Sequence, residues 1–145
     1  MSVPFLDTNI IIRFLTQDDP EKFATCKALF ERIERGEMSV YLPDVIVGEC
    51  IFVLTSPRGY NLSRQEVAEL LTPLLQLTNI EMQNRQILLR TLTIFAETKD
   101  LDFEDAYLIA AMEQAKATDL LSYDSDFDDF PFITRIEPQP LKQAA

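Results

Sequence analysis

Four short apolar runs, VPFL, SVYL, NIEM and LLSY, recur along the 145-residue chain, and spans of helical periodicity lie between them. This alternation constrains the fold more than any other feature. Strands joined through helices run parallel, and a parallel sheet needs helices over both faces. The expected class is therefore α/β, a three-layer α/β/α arrangement around a central, mainly parallel sheet. FITRI supplies a last strand. Thr8 or Asn9 is placed to cap a first helix through Leu15. Phe23, Cys26, Phe30 and Ile33 predict a second, closed near Gly36. Pro43 opens a third, apolar at Val45, Ile46, Cys50, Val53 and Leu54. Ser63 and Glu66 form a capping box for a fourth, running to about Leu77. A fifth starts near Asn84, and Asp102 is the expected cap of a sixth. No repeat or linker divides the chain, so residues 1–137 are expected as one domain and 138–145 as a loose tail.

Charge narrows the chemistry. The net charge is −11, from 13 basic and 24 acidic residues. Bulk attraction to nucleic acid is thereby excluded, since that mode needs a basic footprint. Between Glu97 and Glu137 twelve acids face only Lys99, Lys116 and Arg135, so this stretch carries −9 of the total. There is no histidine. Ser-His-Asp and Cys-His catalysis are ruled out, and zinc is disfavoured. Cys26 and Cys50 form no metal or redox motif and fit free thiols in a reducing cytoplasm. No apolar run reaches the roughly 18 residues of a membrane span, and no signal peptide is read at the N-terminus.

The acids that interrupt apolar segments carry the functional reading. Parallel sheets bind ligands at the carboxyl ends of their strands. Asp7 follows VPFL there, and Asp124 follows LLSY. Glu49 sits inside VIVGECIFVL, and Asp105 in the first turn of FEDAYLIAAM. A first-turn acid also has a plain role against the helix dipole, and Glu49 has one as a solvent-facing residue. Taken together, four carboxylates with no nitrogen or sulfur donor suit Mg²⁺ or Mn²⁺, the ions of phosphoryl-transfer chemistry. Asp126 is either a further ligand or a turn acid.

The ordered set FLDTNIIIRFL, VIVGECIFVL, LDFEDAYLIAAM and LLSYDSDFDDF resembles the PIN-domain nucleases, in particular the VapC-type toxins of toxin–antitoxin pairs. GYNLSRQEV adds to the likeness, and Ser122 stands where the family pattern has threonine. The resemblance implies a metal-dependent endoribonuclease. Asp7, Glu49, Asp105 and Asp124 would hold Mg²⁺ or Mn²⁺, and cleavage would leave a 5′-phosphate and a 3′-hydroxyl. Asn9, Ser122 and Asp126 would support these carboxylates through hydrogen bonds. Asn9 reads equally as a helix cap, and Ser122 as a strand-end hydroxyl bonding backbone. The same resemblance implies a homodimer neutralised by a cognate antitoxin.

Few bases are available to grip RNA. Arg13, next to the first motif, is the best placed; Arg58 and Lys99 read as surface charges. Two other functions compete. A phosphoacceptor signalling domain needs an acidic pair after the first strand and a lysine after the fifth, and only Asp7 is there. An inactive PIN-like binding module is opposed by the presence of all four acids.

Overall fold

The computed structural model describes residues 2–141, and residues 142–145 of the expected tail lie outside them. The chain divides into two compact units, Met1–Ala110 and Ala111–Ala145.

In the first unit the N-terminal segment is extended and lies along β1 (Val40–Tyr41) through a parallel bridge between Phe5 and Tyr41. Leu6 N–H donates to the Tyr41 carbonyl at 2.8 Å, and Tyr41 N–H to that of Pro4 at 2.8 Å. β1 then pairs in parallel with β2 (Ile80–Glu81), Val40 opposite Ile80. The parallel pairing follows from the crossovers. α1 (Thr8–Thr16) and α2 (Pro20–Glu34) connect the first segment to β1, and α3 (Asp44–Thr55) and α4 (Arg64–Leu75) connect β1 to β2. α5 (Arg85–Glu97) and α6 (Phe103–Ala115) follow. The strands are brief, so the core is built mostly from helix faces around Leu42, Ile51, Leu54, Leu71, Leu75 and Leu88, all buried.

Several expectations hold in detail. Ser63 caps α4, its hydroxyl accepting Glu66 N–H at 3.1 Å and donating to the Glu66 carboxylate at 3.1 Å. Asp102 accepts Asp105 N–H at 2.9 Å at the start of α6. Gly36 closes α2 with φ +78°, a left-handed conformation that favours glycine.

Others are corrected. The cap of α1 is Asp7, not Thr8 or Asn9, because the Asp7 carboxylate takes Thr8 N–H at 2.8 Å and both following residues are already helical. α3 buries Val47, Cys50, Ile51 and Leu54 and leaves Val45 72% exposed. Its apolar residues run nearly all round, so periodicity could not select the buried face. α4 ends at Leu75 rather than Leu77, where the Arg85 guanidinium takes over the carbonyls of Leu75, Leu77 and Ile80.

The second unit holds β3 (Asp119–Leu121) and β4 (Thr134–Ile136), paired in parallel with Leu120 opposite Arg135. A 3₁₀ turn at Ser125–Asp129 lies on the crossover and buries Phe127, as the spacing of Phe127 and Phe130 predicts. The run LLSY is expected as a buried strand, yet Leu121 is 70% exposed. A strand in a two-stranded pair has one face to bury, and alternation turns every second residue away from it. Among the described residues no helix is long and apolar enough to cross a membrane.

Candidate active site

Asp7 ends the extended N-terminal segment and is exposed, with one carboxylate oxygen fixed by Thr8 N–H. The next side chain, Thr8, is buried, and its hydroxyl makes no hydrogen bond with the protein. Asn9 is exposed on the first turn of α1. Glu49 is exposed on α3, beside the fully buried Cys50. The surroundings of that thiol tie two of the acids together. Burial pushes Cys50 up to about 12, and the charges of Glu49 and then Asp7 push the same way. Asp7 and Glu49, 42 positions apart in the chain, therefore act on one neighbourhood. Asp105 is half-buried in the first turn of α6.

The thiol has a consequence of its own. With a pKa of about 12, only about 10⁻⁴ of Cys50 is thiolate at pH 8. Cys26 is also buried, and desolvation raises it although Arg13 opposes the shift. Iodoacetamide at pH 8 is expected to leave Cys50 unmodified in the native protein and to label it after denaturation. Rapid native labelling of Cys50, followed by peptide mass mapping, would show that α3 opens. These are core thiols, and redox control through Cys50 has no exposed sulfur to act on.

In the second unit Asp124 caps the 3₁₀ turn, its Oδ1 accepting Asp126 N–H at 2.9 Å. Ser122 Oγ accepts Asp124 N–H at 3.0 Å, so its backbone-bonding role is real. Arg135, unremarkable in the sequence, holds this segment. Its guanidinium donates to Asp128 at 2.9 and 3.2 Å, to Glu137 at 3.1 Å and to the Ser122 carbonyl at 3.1 Å. Those carboxylates raise the arginine, and Arg135 in turn lowers Asp128.

A second group of residues is invisible to motif reading. Asp44, the first residue of α3, accepts from Asn84 Nδ2 at 2.8 Å and from the Tyr107 hydroxyl at 2.7 Å, both on Oδ2. Its Oδ1 is buried without a hydrogen bond to protein. One turn further along α3, Gly48 meets the Phe103 ring so closely that an added Cβ would lie 2.8 Å from it. Pairing Asp44 with Tyr107 and Gly48 with Phe103 makes two rungs, one helical turn apart, between α3 and the start of α6. The helices run antiparallel there, since the numbering rises along one as it falls along the other. Glu49 adjoins the second rung, and Asp105 lies between Phe103 and Tyr107. The only signal in sequence is an acid after Pro43, which reads as an ordinary first-turn residue.

The donor chemistry of Asp7, Glu49, Asp105 and Asp124 fits a hard divalent cation, being oxygen throughout. Among the described residues, no three acid or thiol side chains are gathered closely enough to form a metal-binding group. Carboxylates brought close together repel one another, which favours separation until a cation offsets their charge.

Arg13, the expected RNA contact, donates from Nη1 to Asp18 at 3.1 Å. Asp18 also accepts from the Tyr60 hydroxyl at 2.6 Å, and that bond lowers its carboxyl. Arg58 and Lys99 are exposed.

Comparison with known proteins agrees with the architecture. No curated protein matches the chain. The family model described as PIN domain matches residues 5–133. PIN domains have a three-layer α/β/α fold and are generally metal-dependent nucleases. With the match extending from the N-terminal bridge to the residue before β4, the chain belongs to the PIN domain family.

Proposed function

We propose that this protein is a Mg²⁺- or Mn²⁺-dependent endoribonuclease of the VapC type, the toxin of a type II toxin–antitoxin pair. The observation that carries the reading is the family match over residues 5–133, which takes in all four interrupting acids. Asp7, Glu49, Asp105 and Asp124 are the carboxylates that would hold the ion. The ion would supply activation of water and neutralisation of charge on the phosphoryl group.

The chain's own residues have three tasks. Thr8 N–H fixes Asp7, and Asp126 N–H fixes Asp124, so each carboxylate starts with one oxygen oriented. The two rungs between α3 and α6 set the helices that carry Glu49 and Asp105. Asn9, on the turn after Asp7, presents an amide that can donate to a phosphate oxygen. The products would be a 5′-phosphate and a 3′-hydroxyl.

Partners follow from surface chemistry. A net charge of −11 suits an antitoxin segment that brings arginine or lysine to the acids. Val45 and Phe52, both exposed and seven residues apart on one face of α3, support a homodimer. A cytoplasmic setting fits the two free thiols. The phosphoacceptor reading has no support, because Glu49 is helical and no described strand is followed by lysine.

The test uses purified protein, total RNA, and end mapping with Mg²⁺, Mn²⁺ or EDTA. Discrete cuts bearing 5′-phosphates, present with metal and absent with EDTA, are expected. Undiminished cutting in EDTA, or none with either metal, would overturn the reading.

A further inference from the structure

A pocket of about 500 Å³ opens between α1 and α2. That size falls within the range of small-ligand sites. Asn9 and Arg13, one turn apart on α1, contribute one wall. Lys22, Thr25 and Cys26 on α2 contribute the other, with Glu21 at the edge. Asn9 stands two residues beyond Asp7, so the pocket begins beside the first proposed metal-holding carboxylate.

Its charges are unusual for this chain. Most described cations are committed elsewhere. Lys27, Arg32 and Arg35 pair with glutamates, and Arg135 with Asp128 and Glu137. Arg64 and Arg85 serve backbone carbonyls. Among the described residues Lys22 enters none of the ion pairs, and it lines the pocket. Arg13 pairs with Asp18 through Nη1, at side-chain exposures of 34% and 39%. A pair so open to water is weak, and a guanidinium has five donors. With Asp18 held by Tyr60 and Thr16, Arg13 is oriented and can still meet a second anion. Buried Cys26 lines the pocket with an apolar surface for a ribose or base. Glu21 repels a second phosphate and can accept from a base N–H. The chemistry therefore matches one phosphate with its nucleoside.

We infer that this pocket is a nucleotide subsite that holds the RNA strand next to the scissile phosphate, with Lys22 and Arg13 on the phosphate. The inference rests on the nuclease reading above, since it makes the occupant part of the substrate. It also explains how so acidic a protein grips RNA: by one built pocket rather than by a basic surface.

The probe is uridine 5′-monophosphate, titrated into full-length ¹⁵N-labelled protein without divalent metal. Saturable amide shifts are expected at Asn9, Arg13, Lys22 and Thr25. Lys22→Ala should weaken binding roughly fivefold, as loss of one exposed charge contact; Lys22→Glu should abolish it and Lys22→Arg should restore it. In RNA cleavage Lys22→Ala should raise KM with kcat little changed, and should lower the salt slope of RNA binding by about 0.7. Absence of shifts, or shifts confined to other residues, would overturn the subsite. A penta-glutamate peptide that shifts these amides when the nucleotide does not would assign the pocket to a protein partner, which also overturns it. The two readings fail separately. Nucleotide binding here without metal-dependent cleavage refutes the nuclease, whereas cleavage lost in Asp7→Asn with unshifted pocket amides refutes only the subsite.

Discussion

Asp7→Asn is expected to lower metal-dependent RNA cleavage by about 10²–10³-fold while leaving the fold intact. The substitution separates two roles of one side chain. As a cap, Asp7 needs only an oxygen for Thr8 N–H, and asparagine keeps one. As a metal-holding group it needs charge, which asparagine lacks. The side chain is exposed, so its stability cost should stay within about 0.5 kcal/mol. Single-turnover cleavage and thermal melting, measured on the same preparation, test both halves. Cleavage at the wild-type rate would remove Asp7 from the site. A melting transition shifted down as strongly as the rate would instead make it a structural cap.

The largest stability effect is expected at Asp44, on which no motif draws attention. Asp44→Ala would leave the Tyr107 hydroxyl and the Asn84 amide without their acceptor in a partly buried place. Unmet donors of this kind cost about 1–3 kcal/mol each, so a loss of about 2–4 kcal/mol is expected in denaturant unfolding. Asp44→Asn keeps an acceptor and should recover much of it. Tyr107→Phe should cost about 1 kcal/mol, having removed one donor and left the other satisfied. A pH signature distinguishes the contact from general packing. Burial, followed by the bond to Asp44, pushes Tyr107 up to about 12 from an ordinary 10. A phenol raised by folding contributes stability that is fully present below pH 10 and is lost as pH rises from 10 through 12. The Tyr107→Phe protein should lack that part of the alkaline decline, and its ultraviolet titration should lack the late phenolate step. Equal alkaline slopes for wild type and Tyr107→Phe would show that the hydroxyl is not held in this way.

The second prediction concerns groups far apart in the chain, where local signals end. Local signals were legible. Ser63 with Glu66, Asp102 before α6, Gly36 after α2 and the Phe127 turn all depend on residues a few positions apart. Asp7 stands out because a carboxylate between apolar runs is costly to bury without a partner. The rungs between α3 and α6 had no comparable mark. Asp44 meets Asn84 across 40 positions and Tyr107 across 63, and nothing local distinguishes it from any acid in a first helical turn. Arg85 and Arg135 were hidden for the same reason. An arginine that serves carbonyls or a distant carboxylate looks, in one dimension, like a solvated charge.

The sequence by itself determined the alternation of helices with short parallel strands and the absence of histidine. It also determined an all-oxygen set of candidate donors. These follow from periodicity and side-chain chemistry, which are properties of residue order alone. Tertiary structure decided which face of α3 is buried, that Asp7 rather than Asn9 caps α1, and that Cys50 is a core thiol. It also decided that Lys22 lines a pocket while most other described cations are engaged. Each of these depends on what another element places opposite, and an apolar helix such as VIVGECIFVL can bury any side until a neighbour selects one.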